Sequence, residues 1–269
     1  MNFTKMHGTG NDFVVINALN GMPSADLAEF SKKIADRHFG VGCDQVLIID
    51  KSKIADFKML IFNNDGSEVE MCGNGIRCLA RYVFEKGLTA KKKITVETLA
   101  GIRIPEIVGE RVKVDMGVPA FESKDWHSGE TINKELVIGK NKFNHTLVSV
   151  GNPHCVIFVD KLTDEMVLGS GPKIENDRGL FPNRINVEFI RKISESELEM
   201  RVWERGTGET LACGTGATAS AVAAIKGKLV KNKVTMHLKG GDLEIEWNGD
   251  HVFMTGPAEF VFEGEINLG

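Results

Sequence analysis

Two short glycine-rich turns each place a cysteine where it could do chemistry. Cys72 opens the sequence Cys-Gly-Asn-Gly and Cys213 opens Cys-Gly-Thr-Gly, and a helix-forming apolar segment follows each turn. A cysteine at a helix N-terminus lies beside unpaired backbone N–H groups and the positive end of the helix dipole. That position lowers a thiol pKa from about 8.5 toward neutrality, and the same N–H groups can hold a carboxylate. Each turn is therefore predicted to hold an anion beside an acid–base thiol.

The two turns together predict more than either one alone. A thiolate on one side of a carbon and a thiol on the other can remove a proton from one face and return one to the opposite face, which inverts a stereocentre. Two thiolates in one dry cleft repel, so we expect the pair to share one proton and to titrate as a unit. The helix N-termini would stabilise the charge that grows on an amino-acid carboxylate. No pyridoxal-lysine pattern is recognised, and a mechanism without a cofactor is preferred.

The turns belong to an internal repeat. An offset of 141 positions separates Cys72 from Cys213, and several polar residues recur at the same offset. The further pairs are Gly10-Asn11 with Gly151-Asn152, Gln45 with Asn186, Arg37 with Arg178, Asn63 with Glu204, and Glu68 with Glu209. One glycine-rich match could arise by chance, but several polar matches at one offset indicate a duplication.

Each repeat shows the same order of predicted elements. A strand follows a Gly-Asn turn, two further strands come next, and the Cys-Gly-x-Gly turn leads into a helix. Another amphipathic helix is predicted over residues 24–37, with Ser24 as its N-cap. The predicted strands are 13–18, 45–49 and 57–61 in the first repeat and 154–159, 185–190 and 198–202 in the second, and the helices are 76–84 and 217–225.

These elements predict an α+β fold made of two pseudo-symmetric α/β lobes. Each lobe is expected to be a mostly antiparallel, curved, barrel-like sheet around a central helix, with the active site in the cleft between the lobes. Residues 1–116 with 258–269 are predicted to form the N-terminal lobe and residues 117–257 the C-terminal lobe. An insert near residues 122–141 joins the repeats.

Composition excludes several classes of protein. The 269 residues leave room for two domains, and 42% hydrophobic with 26% charged residues is typical of soluble globular chains. No run approaches the roughly 18 apolar residues of a membrane span, and no apolar signal segment opens the chain, so a cytoplasmic location is predicted. A net charge of −4 does not favour nucleic acid. The expected partner is a small molecule, not nucleic acid or a membrane.

The five cysteines do not suggest a disulfide framework or a metal site. They are odd in number and contain no CxxC pair, so neither structural zinc nor another metal is expected. Cys43, Cys78 and Cys155 are predicted to be buried packing residues. Glu68 and Glu209 precede the two turns and are expected to cap the helices.

Three other functions fit parts of the sequence. The segment from Gly214 to Ala219 fits the dinucleotide-binding fingerprint, but the parallel βαβ context is lacking. A thiol hydrolase could pair Cys72 or Cys213 with His154, which would leave the second turn idle. A non-catalytic amino-acid-binding module would keep the cleft, but it would not need a cysteine in both turns.

Six segments together resemble the diaminopimelate epimerase family. Proline and hydroxyproline racemases have similar paired cysteine turns, but the Glu-Arg-Gly segment and the N-terminal His-Gly-Thr-Gly-Asn argue against them. The segments, in order along nearly the whole chain, are His7–Phe13, Phe62–Glu68, Met71–Arg77, Gly151–His154, Trp203–Gly206 and Ala212–Ala217.

The resemblance implies an isomerase that interconverts LL- and meso-2,6-diaminopimelate without pyridoxal phosphate, for lysine and peptidoglycan precursor synthesis. It implies a homodimer, with Cys72 and Cys213 as the acid and base, and with His154 and Glu204 near the thiols. Arg205 could grip a carboxylate bidentately, and Glu204 could accept from an ammonium group. The implied substrate-binding residues are Asn11, Gln45, Asn63, Gly73, Asn74, Asn152, Asn186, Glu204, Arg205, Gly214 and Thr215.

Overall fold

The computed structural model describes residues 1–126 and 129–267. His127 and Ser128 of the predicted insert, and Leu268 and Gly269 of the predicted N-terminal lobe, lie outside the described residues. The chain divides into two compact units, Met1–Asp115 with Thr255–Gly269 and Met116–Met254. We call these the first and the second unit.

Four α-helices and eighteen strands are present within the described residues. The helices are α1 (Leu27–Ala35), α2 (Gly73–Glu85), α3 (Gly171–Glu175) and α4 (Gly214–Lys226), and a π-helical segment, Glu165–Ser170, leads into α3. The first strands are β1 (Asn2–Gly8), β2 (Asn11–Asn17), β3 (Gln45–Asp50), β4 (Phe57–Asn63), β5 (Val96–Thr98), β6 (Gly101–Arg103), β7 (Glu106–Val108) and β8 (Arg111–Gly117). The later strands are β9 (Lys134–Ile138), β10 (Asn141–Ser149), β11 (Pro153–Phe158), β12 (Asn186–Lys192), β13 (Glu197–Glu204), β14 (Gly208–Glu209), β15 (Lys233–Leu238), β16 (Gly241–Trp247), β17 (Val252–Pro257) and β18 (Glu259–Glu265).

The sheet of the first unit lies between two helices. Its strand order is β18-β1-β2-β3-β4-β5-β6. Alternate residues of a strand point to opposite faces, so Val14 and Val46 join Ile34 of α1 in one apolar cluster. On the other face, Phe13 Cε1 would lie 3.3 Å from a Cβ added at Gly75 of α2. The glycine therefore lets the first turn of α2 rest directly on the sheet.

The second unit has the same design. Its strand order is β17-β16-β15-β13-β12-β11-β10-β9, with β14 beside β13. The small, almost wholly buried side chains of α4 pack on one face. On the opposite face, Val187 and Phe189 of β12 cluster with Ile174 of α3 and with Phe181. Small side chains let α4 approach the strands closely, so its N-terminus is held in one place.

Strand registers follow the duplication. Phe13 pairs with Gln45 in the parallel β2–β3 pair, and the residues 141 positions later, His154 and Asn186, pair in the parallel β11–β12 pair. Val46 pairs with Phe62, and their counterparts Val187 and Trp203 also pair. The predicted fold class of two related sheet-rich lobes is confirmed.

Both sheets are mixed but mostly antiparallel, as predicted. The parallel pairs are β2–β3 and β4–β5 in one unit and β11–β12 and β13–β15 in the other. The barrel-like form is wrong: within the described residues, neither strand order closes into a barrel, because each sheet buries its faces against helices instead of against itself. Among the same residues, no helix has the length and apolar character needed to cross a membrane.

The first helix is shorter than predicted and has a different cap. Asp26, not Ser24, is the N-cap of α1, and its Oδ1 accepts from the Glu29 N–H at 3.0 Å. Ser24 Oγ instead accepts from the Asp26 N–H at 3.2 Å. Both residue types favour this role, and the chain uses the one nearer to the first apolar position.

Candidate active site

Both candidate cysteines are helix N-caps. Cys72 has extended backbone angles, and its Sγ accepts from the Gly75 N–H at 3.5 Å at the start of α2. Cys213 does the same at the start of α4, where its Sγ accepts from the Gly216 N–H at 3.3 Å. Each sulfur thus occupies the place of the usual serine or aspartate oxygen. The first-turn N–H groups beside it can receive an anion.

The expected capping role of Glu209 is therefore wrong. Its carboxylate pairs with Arg201 at 2.8 Å and with Lys239 at 2.7 Å. Glu68 forms a bridge with Phe62 of β4, and it is not the cap of α2 either. The cysteines take over the caps because they occupy the position immediately before each helix.

Around Cys72, three polar side chains form a connected group. Cys72 is half-buried, and its Sγ lies 3.7 Å from Asn11 Oδ1. The same oxygen accepts from Asn74 Nδ2 at 3.2 Å. Asn11 Nδ2 donates to Asp44 Oδ2 at 3.1 Å. The structure thus brings Asn11, Asn74 and Cys72 together, and it adds Asp44, which the sequence did not single out.

Gln45 and Asn63 lie opposite each other on β3 and β4. Gln45 Nε2 donates to Asn63 Oδ1 at 2.9 Å, and Asn63 Nδ2 donates to Ser67 Oγ at 2.9 Å. Within the described residues, the buried Gln45 Oε1 has no hydrogen-bond partner. This oxygen could therefore accept a donor from a ligand.

A network of charged side chains is joined to Asn11 through Asp44. Arg37 donates to Asp12 Oδ1 at 2.9 Å and to Asp44 Oδ1 at 2.8 Å, and Lys5 pairs with Asp12 at 2.6 Å. Burial alone would raise the pKa of the Asp12 carboxyl, but the bonds from Arg37, Lys5 and the Asp44 backbone outweigh burial and lower it from 3.8 to about 2. The network holds Asp44 beside Asn11.

Replacing Asp12 by asparagine is expected to destabilise the fold by about 2 kcal/mol at neutral pH. The folded-state pKa lies below the unfolded value, so the stabilisation is present above about pH 4 and is lost as the pH falls toward about 2. Urea unfolding of both proteins near pH 7 and near pH 2.5 measures the difference. A loss of stability that is equal at both pH values would contradict this assignment.

Around Cys213, a chain of hydrogen bonds runs back into the second unit. Cys213 Sγ lies 3.5 Å from Thr215 Oγ1, which accepts from Asn152 Nδ2 at 3.2 Å. Asn152 Oδ1 is 3.0 Å from His154 Nε2, and His154 Nδ1 is 2.7 Å from Glu188 Oε1. The duplication thus repeats the cysteine, the asparagine and the helix turn, but with different neighbours.

His154 and Glu188 form a fully buried pair. His154 Nδ1 lies 2.7 Å from the Glu188 carboxylate, which can only accept, so the ring N–H donates there. The other ring nitrogen, Nε2, faces the Asn152 side chain. His154 reaches the thiol through Asn152 and Thr215.

The Cys213 thiol has a raised pKa, contrary to the lowering expected at a helix N-terminus. Burial raises the pKa most, and the charges of Glu204 and Glu188 add to it, while bonds from Thr215 and the Gly216 N–H act in the opposite direction. The pKa of Glu204 is itself raised, first by burial and then by Glu188, although Thr210 donates to its carboxylate. Cys213 is therefore protonated in this state.

Replacing Gly216 by alanine is expected to cost about 1–3 kcal/mol of stability and to change the alkylation rate of Cys213. A Cβ there would lie 2.7 Å from Glu188 Oε1 and 3.2 Å from Cys213 Sγ, so both groups must shift. Gly227→Ala is the matched control at the other end of α4, where φ is −74° and the nearest atom is 3.3 Å away. Urea unfolding and alkylation mapping compare the two. Equal behaviour of both variants would contradict the close packing at Gly216.

Arg205 lies on an exposed loop that buried groups hold in place. Asn186 Oδ1 accepts from the Arg205 N–H at 2.9 Å, and Asn186 Nδ2 donates to the Pro153 carbonyl at 2.9 Å. The buried Glu175 accepts from the Gly206 N–H at 2.7 Å and from the Trp203 indole at 2.8 Å. In this state Asn186 bonds to backbone at both ends, so it shapes the loop that carries Arg205.

Three acidic residues contact the candidate site residues but were not predicted from the sequence: Asp44, Glu175 and Glu188. None has an acidic counterpart at the 141-residue offset, so the repeat could not reveal them. One pattern could have found Glu188, because residues two apart in a strand share a face and Asn186 precedes it by two.

The remaining cysteines are packing residues, as predicted. Cys43, Cys78 and Cys155 are buried, and all five cysteines are free. Burial raises the pKa of the Cys43 and Cys78 thiols to about 12. Among the described residues, no group of three or more His, Cys, Asp or Glu side chains could hold a metal ion.

The chain has close relatives among known proteins. The family model for diaminopimelate epimerase matches residues 3–122 and 146–261. A diaminopimelate epimerase of Halothermothrix orenii is 50% identical over 99% of this chain and 98% of that protein. Another, of Heliobacterium modesticaldum, is 47% identical over the full length of both.

Solved structures share the fold at low sequence identity. A PhzF-family phenazine biosynthesis protein of Bacillus anthracis matches with a TM-score of 0.72 and 18% identity, over 100% of this chain and 99% of that one. A hydroxyproline epimerase from Agrobacterium vitis, with bound trans-4-hydroxy-L-proline, matches with a TM-score of 0.71 and 14% identity, over 99% of this chain and 90% of that one.

Proposed function

The chain belongs to the diaminopimelate epimerase family, and on that premise we propose that Cys72 and Cys213 invert one α-carbon of 2,6-diaminopimelate, interconverting the LL and meso forms. The resemblance seen in the sequence is confirmed by relatives of 47–50% identity over full length. One observation carries the assignment of the two cysteines. Each is the N-cap of a helix, with the sulfur beside the first-turn N–H groups.

In the proposed reaction, one sulfur acts as a thiolate and the other as a thiol. The thiolate removes the α-proton and becomes a thiol, and the electron pair left on carbon spreads onto the adjacent carboxylate. Backbone N–H groups at Gly73-Asn74 and Gly214-Thr215 stabilise that charge. The second thiol then gives its proton to the opposite face, and the roles exchange in the reverse direction. The scheme needs no cofactor.

Glu204 links substrate binding to the protonation of Cys213. Its charge contributes to the raised pKa of that thiol. A substrate ammonium group bound at Glu204 would neutralise this charge and favour the thiolate, because an opposite charge nearby offsets a like one. In this proposal the thiol becomes a usable base only when substrate is present.

The rest of the substrate is proposed to bind to amides and Arg205. Asn11, Gln45, Asn63 and Asn152 offer both donors and acceptors, and the buried Gln45 Oε1 supports this role. Arg205 would grip the distal carboxylate. Asn186 is proposed to contribute to substrate binding indirectly, because its side chain holds the loop that carries Arg205.

Incubation with LL-diaminopimelate in the absence of any cofactor tests the function. Chiral chromatography is expected to show meso-diaminopimelate rising to an equilibrium mixture, with no racemisation of L-proline or trans-4-hydroxy-L-proline. Turnover of a proline and not of diaminopimelate would assign the chain to racemase chemistry. Binding of diaminopimelate without conversion would favour a binding module.

We further propose that the protein is a cytoplasmic homodimer. Five free cysteines support a reducing compartment. Strand β18 begins the sheet order of the first unit and exposes Phe260, Val261 and Phe262, a combination that favours strand pairing with a second chain. Light scattering after gel filtration is expected to give a dimer for the native chain and a monomer for Val261→Asp. A monomeric native chain would reject the dimer.

A further inference from the structure

The two half-sites orient equivalent asparagines in opposite directions. Asn11 and Asn152 are 141 positions apart, as are their partners Asn74 and Thr215. In the first unit, Asn74 Nδ2 donates to Asn11 Oδ1 at 3.2 Å. In the second unit, Asn152 Nδ2 donates to Thr215 Oγ1 at 3.2 Å. The hydrogen bond between equivalent positions therefore runs in the reverse sense.

Each asparagine faces a different neighbour, and only the carboxylate beside Asn11 fixes an orientation. Asp44 Oδ2 accepts from Asn11 Nδ2 at 3.1 Å, so the Asn11 carbonyl must point the other way. His154 Nε2 lies 3.0 Å from Asn152 Oδ1, and the NH₂ group of Asn152 points the other way, toward Thr215. At the 141-residue offset Asp44 corresponds to Ile185 and His154 to Phe13. Neither neighbour is duplicated.

The two sulfur atoms therefore meet opposite hydrogen-bonding partners. Asn11 Oδ1, an acceptor, lies 3.7 Å from Cys72 Sγ and favours the S–H form. Thr215 Oγ1 lies 3.5 Å from Cys213 Sγ and already accepts from Asn152. The Thr215 hydroxyl can also donate its own proton to the sulfur, and this contact lowers the pKa of Cys213 against the larger effect of burial.

We propose that Asp44 is a positioning residue that turns the Asn11 carbonyl toward Cys72, which makes the two half-sites unequal. Asn11 and Asn74 cannot fix this orientation by themselves, because both are amides and a joint flip would restore a bond between them. Asn74 Oδ1 is buried and, in the described part of the chain, has no hydrogen-bond partner, so it could accept in the flipped arrangement. Asp44 excludes the flip, because a carboxylate cannot donate.

Asp44 is well placed for this role. Arg37 holds its Oδ1 at 2.8 Å, and the Asp12 N–H donates to its Oδ2 at 3.3 Å. The side chain is 46% exposed, so its replacement leaves the apolar core intact. Arg77 and Cys78 also interact electrostatically with Cys72, and an Asp44 variant leaves both in place. That Cys72 is an acid–base group rests on the proposed function, whereas the orientation of Asn11 does not.

The test is the iodoacetamide alkylation rate of Cys72 at one fixed pH, without substrate, read by peptide mass spectrometry. Asp44→Ala allows the NH₂ group of Asn11 to face the sulfur, and we expect Cys72 to react about tenfold faster. Cys213 in the same sample is the internal control and should not change. Asp50→Ala, at the other end of β3, removes the same charge and should leave both rates unchanged.

The same substitution in an Asn11→Ala protein separates the effect of the Asn11 orientation from the effect of the Asp44 charge. Loss of a nearby carboxylate could by itself favour a thiolate, so Asp44→Ala is also made in Asn11→Ala. We expect no acceleration there, since no amide remains to be turned. The same acceleration in that background, no acceleration in either, or an equal rise at Cys213 would overturn the proposal. Because no substrate is used, this outcome is independent of whether the chain epimerises diaminopimelate.

Discussion

Replacing either Cys72 or Cys213 by serine is expected to lower kcat for epimerisation by about 10²–10⁴-fold, the usual contribution of a positioned acid or base. A serine hydroxyl does not ionise near neutral pH, so the variant lacks one of the two proton-transfer groups. The fold should survive, because each cysteine is a helix N-cap and serine is among the best N-cap residues. Steady-state rates in both directions and urea unfolding measure the two effects.

Cys43→Ala is the matched control for loss of a thiol. This side chain is fully buried in the apolar cluster beneath α1, so its removal should cost some stability and leave kcat unchanged. Native turnover in Cys72→Ser or in Cys213→Ser would contradict a reaction that uses two sulfurs.

Mild oxidation is expected to abolish activity by joining Cys72 to Cys213. Diamide would take up the two thiol hydrogens as the S–S bond forms, and dithiothreitol would restore both thiols and full activity. A disulfide requires the two Cα atoms to come within about 7 Å, and two sulfurs that act on one carbon must be able to approach closely. Activity assays combined with peptide mapping before and after reduction measure this.

The other cysteines should take no part in this inactivation. Cys78 and Cys155 are buried, with thiol pKa values raised by burial, and so they should stay unmodified. Cys72→Ser should form no crosslink. An oxidised, inactive protein in which both Cys72 and Cys213 remain free thiols would show that the two do not meet.

Much of the fold was predictable because the sequence contains an internal repeat, and both copies show the same order of strands and helices. The offset that relates Cys72 to Cys213 also relates the strand registers of the two units. Helix α4 was predictable from its run of small apolar residues followed by Gly227. Strands β1 and β18 were not predicted, since polar and charged residues interrupt their apolar ones. The pairing of β1 with β18 joins the two ends of the chain, which local patterns do not reveal.

The candidate site was predictable where residues recur and unpredictable where the two halves differ. Cysteine type and spacing predicted the two turns, but the Cys213 pKa depends on burial and on Glu188, which only the folded chain brings near. Asp44 was hidden because its role lies in orienting a neighbour's amide, and amide orientation follows from three-dimensional partners. The features that the two halves share can be predicted from the repeated sequence, whereas the features in which they differ depend on contacts that form only in the folded chain.

Incorporation of solvent deuterium during early turnover tests the two-sulfur reaction most directly. LL-diaminopimelate is incubated in deuterated water without cofactor, and the substrate and product are examined by NMR and mass spectrometry before a tenth has reacted. We expect one deuterium at the inverted α-carbon of the meso product and none in the recovered LL form, because different groups remove and deliver the proton. Deuterium appearing equally in the recovered LL form, or product without deuterium, would contradict it.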